Sequence, residues 1–229
     1  MKTHIKIKLA LASTLLSFNV NVFAAGDLHL DHANTDISDT ASLQNGAKLF
    51  MNYCSGCHAI AFMRYNRIAK DLNLSDSLVA ENLMFAGEKI GETITTAMPK
   101  EGAAKWFGGT PPDLSLVARS KGTDWIYTYL RGFYEDGSKV FGVNNKVLEG
   151  ASMPDVLWPL KESKSETEFD QDVRDITNFL DYVGEPAKLI RTKLGVWVLL
   201  FLGVLLVLTY LLKKEYWKDV KYGIWRPRD

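Results

Sequence analysis

Hydrophobic and polar positions follow three readable patterns along this chain. Near the end, Leu194 to Leu212 is nineteen residues without a charge. A helix of that length crosses a hydrocarbon core. A buried core helix would carry a polar stripe, and this run has only Thr209 and Tyr210. Trp197 and Tyr210 stand near its ends, where amphipathic rings favour the membrane interface. Just upstream, Phe169, Val173, Ile176, Phe179, Leu180 and Val183 recur with the spacing of an amphipathic helix. Gly184 and Pro186 supply its stop, and Glu166, Glu168, Asp170 and Asp172 suit the positive end of its dipole. Near the beginning, Leu43, Gly46, Leu49, Phe50 and Tyr53 share one face of another helix. Thr40 and Ser42 are its candidate N-caps.

The middle is less periodic. Residues 60–70 predict a short helix, Leu74 to Gly87 another, and Asp124 to Arg131 a third. Lys100 to Asp113 is rich in Gly and Pro and predicts loop, and Gly132 to Pro159 has many turn residues and little periodicity. Gly26 to Asp39 reads as an extended lead-in, and there is no internal repeat. The elements together predict an all-α domain.

The two ends divide the chain. Lys2, Lys6 and Lys8, the apolar stretch Leu9 to Phe18, and the small residues Val22 and Ala24 form a secretory signal over residues 1–24, cut after Ala24 or Ala25. Residues 25–187 are then the exported domain, 188–193 a basic linker, 194–212 the span and 213–229 the tail. Lys188, Arg191 and Lys193 precede the span, and six basic residues from Lys213 to Arg228 follow it. That excess puts the tail in the cytoplasm of a bacterial inner membrane and the domain in the periplasm. Formal charge is zero overall, yet residues 25–193 hold 24 acids against 18 bases, a net of −6. Such a domain suits basic protein partners and not nucleic acid. Its acids cluster at Glu162 to Asp175, which predicts a steering surface.

The chemistry sits in Cys54-Ser55-Gly56-Cys57-His58, the attachment signature for one covalent haem c. Two thiols three positions apart can each add to a haem vinyl group, and the adjacent imidazole then meets the iron. Zinc would need more ligands, but no further Cys exists and only His29 and His32 remain beyond the signal. A redox dithiol has no need of His58 and belongs with a βαβ pattern, which is missing around this motif.

A sixth iron ligand comes next. Met51 and Met63 lie too close in sequence to His58 to reach the opposite face easily, and Met84 sits in an apolar helical stretch. Met98 and Met153 are each followed by Pro, which sets each in a rigid non-helical segment. Gly46, Phe50 and Cys54 at intervals of four, with Phe179, Leu180 and Tyr182 on a closing aromatic helix, resemble the small-cytochrome-c fold. There a glycine lets the first and last helices approach closely, and the Met loop comes shortly before the final helix, which favours Met153 over Met98.

Beyond that fold, the chain resembles the cytochrome c1 family over nearly its whole mature length. The resemblance rests on Cys54 to His58, Met63-Arg64-Tyr65-Asn66-Arg67 and Trp106-Phe107-Gly108. It continues through Pro111-Pro112-Asp113-Leu114-Ser115 to Arg119, Arg131-Gly132-Phe133-Tyr134, Met153-Pro154 and the C-terminal anchor. It implies a class I cytochrome c-like domain with insertions plus one C-terminal transmembrane helix. It implies His58 and Met153 as axial ligands, Pro111 against the haem near the proximal side, and Arg119 on a propionate. It implies an electron-transfer subunit of the bc1 complex rather than an enzyme alone. Its partners would be cytochrome b, the Rieske iron–sulfur protein, a c-type cytochrome acceptor and membrane lipid. The chain departs from some members, which carry a further disulfide before the Met loop, because no cysteines remain for one. Two alternatives stay open: a free-standing anchored cytochrome or haem subunit of another oxidase or reductase, and a haem sensor or peroxidase with an open iron position.

Overall fold

A computed structural model describes residues 29–223. The signal segment and the last residues of the tail lie outside the described residues. Two helices organise the domain. Helix α1 (Thr40–Tyr53) is capped one residue before the predicted Thr40: Asp39 takes the extended cap conformation, and its carboxylate accepts from the Ser42 amide at 3.1 Å. Helix α8 (Glu166–Gly184) starts at Ser165, whose hydroxyl and the Glu168 side chain form a reciprocal capping box.

The two helices cross at Gly46. A Cβ there would stand 2.0 Å from the Asp175 carbonyl oxygen and 2.8 Å from the Phe179 Cβ, so only glycine fits. Phe50 and Phe179 pack beside the crossing with ring centroids 5.6 Å apart. Every apolar position predicted for α8 is buried. Its polar side is less exposed than an amphipathic pattern implies. Asp172, Asp175, Thr177 and Asn178 are buried as well, because other helices close over that face. Asp175 accepts from the Ser42 hydroxyl at 2.7 Å and the Asn45 amide at 2.8 Å, both on α1. Asp172 pairs with Lys164, and Asp170 accepts from Arg131 at 2.9 Å. Three acids of the predicted steering surface are therefore engaged in holding the fold.

The middle of the chain departs from its prediction in two places. Residues 60–70 divide into strand β1 (Ile60–Arg64) and helix α2 (Tyr65–Asp71). Strand β1 buries Ile60 and Met63 and pairs antiparallel with β2 (Thr93–Ile94), a partner some thirty residues away that local periodicity does not reveal. The predicted loop after Lys100 contains helix α4 (Lys100–Phe107), capped by Pro99 and ended by Gly108 at φ 72°. Here the glycine and proline act as helix punctuation. Helix α3 (Asp76–Asn82) lies within its predicted stretch. Helices α5 (Val117–Lys121) and α6 (Thr123–Arg131) pack on α8. The segment from Gly132 onward carries a small antiparallel pair, β3 (Phe133–Glu135) and β4 (Val143–Asn145), and then the short helix α7 (Trp158–Ser163). The domain is thus predominantly helical, with two minor sheets.

Helix α9 (Lys188–Tyr222) is 35 residues long, apolar enough over its middle to cross a membrane. The stretch read as a linker forms its first turns. At 1.5 Å per residue it measures about 52 Å, longer than a hydrocarbon core. The side chains of its apolar stretch pack against nothing in the domain. Ion pairs from Lys188 to Asp181 at 2.9 Å and from Arg191 to Glu185 at 2.5 Å tie its base to α8.

Candidate haem attachment site

Cys54 caps α1, and the chain continues as tight turns. The Cys54 and Ser55 amides donate to the Phe50 carbonyl at 2.8 and 3.0 Å, and the His58 amide donates to the Cys54 carbonyl at 2.9 Å. The Ser55 hydroxyl closes the bend on the Met51 carbonyl at 2.7 Å. Both cysteines are free. Burial, helped by the neighbouring Cys57, pushes the Cys54 thiol up to about 12, and burial raises Cys57 too. The pair is therefore held as neutral thiols.

His58 is set by a segment more than fifty residues downstream. Its Nδ1 lies 2.8 Å from the Pro112 carbonyl oxygen. A carbonyl only accepts, so Nδ1 carries the proton and Nε2 keeps an open lone pair. Burial lowers the imidazole's pKa against the opposing pull of the Pro112 bond and Asp113, which favours the neutral ring. The same segment zips onto β1. Leu114 donates to the Ala59 carbonyl at 2.8 Å, the Asp113 carboxylate accepts from Ala61 at 2.9 Å, and the Ser115 hydroxyl accepts from Phe62 at 3.1 Å. Pro111, partly buried, adjoins this junction.

Met153 is held from other elements. The Tyr129 hydroxyl, on α6, donates to its sulfur at 3.5 Å. Burial pushes Tyr129 up to about 12, so it stays a donor. Trp125 stacks on Tyr129 at 4.9 Å, and Phe133 meets its edge at 5.2 Å. Met98 belongs to a different neighbourhood: the Thr96 hydroxyl accepts from its amide at 3.2 Å and donates to the Gly56 carbonyl, between the two cysteines, at 2.8 Å. Arg119 is exposed at the end of α8, with its Cγ 3.3 Å from where a Gly184 Cβ would stand, and it helps lower the Glu185 pKa. The structure thus brings Cys54, Cys57, His58 and Pro111 together, and sets Met153 and Arg119 on separate elements.

Sequence reasoning missed three residues. Asn144 and Asn145 are 3% and 1% exposed. Asn145 donates to the Tyr129 carbonyl at 2.8 Å and accepts from Val147 at 2.8 Å; Asn144 accepts from Gly150 at 2.9 Å. They gather the chain on the approach to Met153, in a stretch that holds no disulfide. Tyr129 is the third. An Asn-Asn pair inside a turn-rich stretch is the one signal that pointed to this.

Two neutral thiols on one turn and a neutral imidazole with Nε2 open fit covalent haem. With one helix in the same chain long and apolar enough to cross a membrane, they define a membrane-anchored c-type cytochrome. The family model described as the Cytochrome C1 family matches residues 32–220. The chain is 47% identical to cytochrome c1 of Allochromatium vinosum, covering 93% of this chain and 99% of that one. It is 42% identical to a Nitrosomonas europaea protein named ammonia monooxygenase gamma subunit, over 93% and 98% of the two chains. It is 31% identical to cytochrome c1 of Rhodospirillum rubrum, over 80% and 84%. The chain belongs to the cytochrome c1 family. It is a single-pass, haem c-bearing electron-transfer subunit of a bc1-type complex and not an enzyme by itself.

Proposed function

We propose that His58 Nε2 and Met153 Sδ are the two iron ligands, that Cys54 and Cys57 carry the thioethers, that Pro111 lies on the proximal side and that Arg119 pairs with a propionate. The observation that carries this reading is the His58–Pro112 bond, which leaves one ring nitrogen open and fixes the ring. When bound, haem c supplies a one-electron couple. The chain's own residues do the rest. Pro112 orients His58, Tyr129 orients the Met153 thioether, and the buried asparagines steady the loop that presents it. Met98 is tethered to the cysteine turn, which suits gap filling beside the attachment point.

The domain faces the periplasm of a bacterial inner membrane with the tail in the cytoplasm. It accepts an electron from the Rieske iron–sulfur protein beside cytochrome b and passes it to a c-type cytochrome. A redox titration of Met153→Leu tests the ligand assignment. Covalent haem is expected to remain while the midpoint falls by on the order of 100 mV, since axial ligands set potential over a wide range. An unchanged midpoint in Met153→Leu with a collapse in Met98→Leu would move the ligand to Met98. Purification is expected to recover cytochrome b and the Rieske protein. Recovery with monooxygenase subunits instead would overturn the partner assignment.

A further inference from the structure

A cleft of about 350 Å³ opens between β1, α2 and the turn that leads into α9. Its polar lining is Arg64, Asn66, Arg67 and Lys70, with Phe62 and Pro186 among its apolar walls. Every charge that lines it is positive, although residues 25–193 together carry a net −6. The nearby acids are already engaged. Arg67 pairs with Asp71, which also accepts from the Tyr182 hydroxyl at 2.9 Å, and Asp181 and Glu185 hold Lys188 and Arg191. Among the described residues, Arg64 and Lys70 make no ion pair. Arg64 gives one N–H to the Gly91 carbonyl at 2.5 Å, which anchors its guanidinium and leaves the other N–H groups available.

The cleft also lies close to the start of the spanning helix. Pro186 is two residues before α9, and the charge-free run begins at Leu194. Six residues of helix rise about 9 Å, and the two before them add at most about 7 Å. Leu189 and Ile190, 41% and 64% exposed, fall inside that interval. The cleft therefore sits just above the headgroup layer, within reach of long basic side chains. Phe62, 74% exposed, adds an apolar ring at its rim.

We infer that this cleft binds the phosphate of an anionic phospholipid headgroup from the leaflet next to the haem domain. The Arg64 guanidinium supplies a fork that matches phosphate oxygens, Lys70 supplies a point charge, and the Asn66 amide can complete the set. Such a lipid would brace α2 against the base of α9, where the domain meets its anchor.

The test uses the full haem-bearing chain in nonionic detergent, read by native mass spectrometry, with phosphatidylglycerol, phosphatidylcholine or inorganic phosphate added. Wild type is expected to retain one phosphatidylglycerol that phosphatidylcholine does not replace. The double variant Arg64→Gln, Lys70→Gln should weaken that retention roughly tenfold to thirtyfold, at about 1 kcal/mol per basic residue near the surface. The intact mass of the haem-bearing chain in the same spectrum checks that the variant is assembled. A Lys213→Gln, Lys214→Gln variant, at the far end of α9, should keep the site. Equal retention in wild type and the Arg64, Lys70 variant, or loss only in the Lys213, Lys214 variant, would overturn the proposal. Displacement of the lipid by millimolar inorganic phosphate would assign the cleft to free phosphate and overturn the membrane source.

Discussion

On the His58 side, the chain is anchored to a helix crossing. The cysteine turn grows directly from α1, α1 is locked to α8 through Gly46, and Pro112 to Ser115 join residues 58–62 through one backbone bond, Leu114 to Ala59, and three that use the His58, Asp113 and Ser115 side chains. On the Met153 side, the chain is held by side chains. Tyr129 touches the sulfur, and Asn144 and Asn145 gather the loop that leads to it. A wall anchored at a helix crossing tolerates few changes there, since each one moves a helix. A side-chain-built wall can be altered one contact at a time, so it is the place where the site's properties can be adjusted without unfolding the domain.

The largest effect should come from breaking the first wall. Gly46→Ala drives a Cβ into the Asp175 carbonyl and should cost about 3 kcal/mol or more, a large share of a domain's stability. Haem-stained protein per total chain is expected to fall severely in membranes. Normal haem content in that variant would show that the two helices can separate without harm, and would erase the contrast between the walls.

A smaller, more local effect is expected from Asn145→Ala. It removes hydrogen bonds to the Tyr129 carbonyl and the Val147 amide at a site 1% exposed, worth about 2 kcal/mol. On heating, the methionine–iron charge-transfer absorption should vanish well before the helical signal in far-ultraviolet circular dichroism. Coincident loss of both signals would mean that the loop is part of the same cooperative unit as the helices.

The smallest effect is the sharpest. Tyr129→Phe keeps the stacked rings and removes only the donor to Met153. With Met153 on the iron as proposed, that donor would draw electron density from the thioether and so favour ferrous iron. Its loss should lower the midpoint by roughly 40 mV, the one-electron equivalent of about 1 kcal/mol. A midpoint that stays put while Met153→Leu shifts it would confine Tyr129 to packing.

Much of the architecture is legible in the order of the amino acids. The periodicity of α1, α8 and α9 is carried by long runs, and long runs report their faces reliably. The haem signature is contiguous, so its meaning survives without tertiary context. The failures have a common cause. Strand β1 pairs with Thr93 and Ile94 across two intervening helices, and α4 hides in a glycine-rich stretch that happens to be punctuated as a helix. The acids of α8 look like a charged surface in the sequence, yet Asp172 and Asp175 are buried because α1 supplies Ser42 and Asn45, and the residues before α8 supply Lys164.

From the sequence by itself, two things were determined: where the haem is attached and which segment crosses the membrane. Both depend on residues adjacent in the chain, through the reach of one turn in the first case and the thickness of a bilayer in the second. Which ring nitrogen of His58 stays open, and what steadies Met153, were decided only in three dimensions. The Pro112 carbonyl and the Tyr129 hydroxyl lie 54 and 24 residues from their partners. Hydrogen bonds at such separations exist only once the packed helices have brought distant segments within 3.5 Å, so no local pattern encodes them.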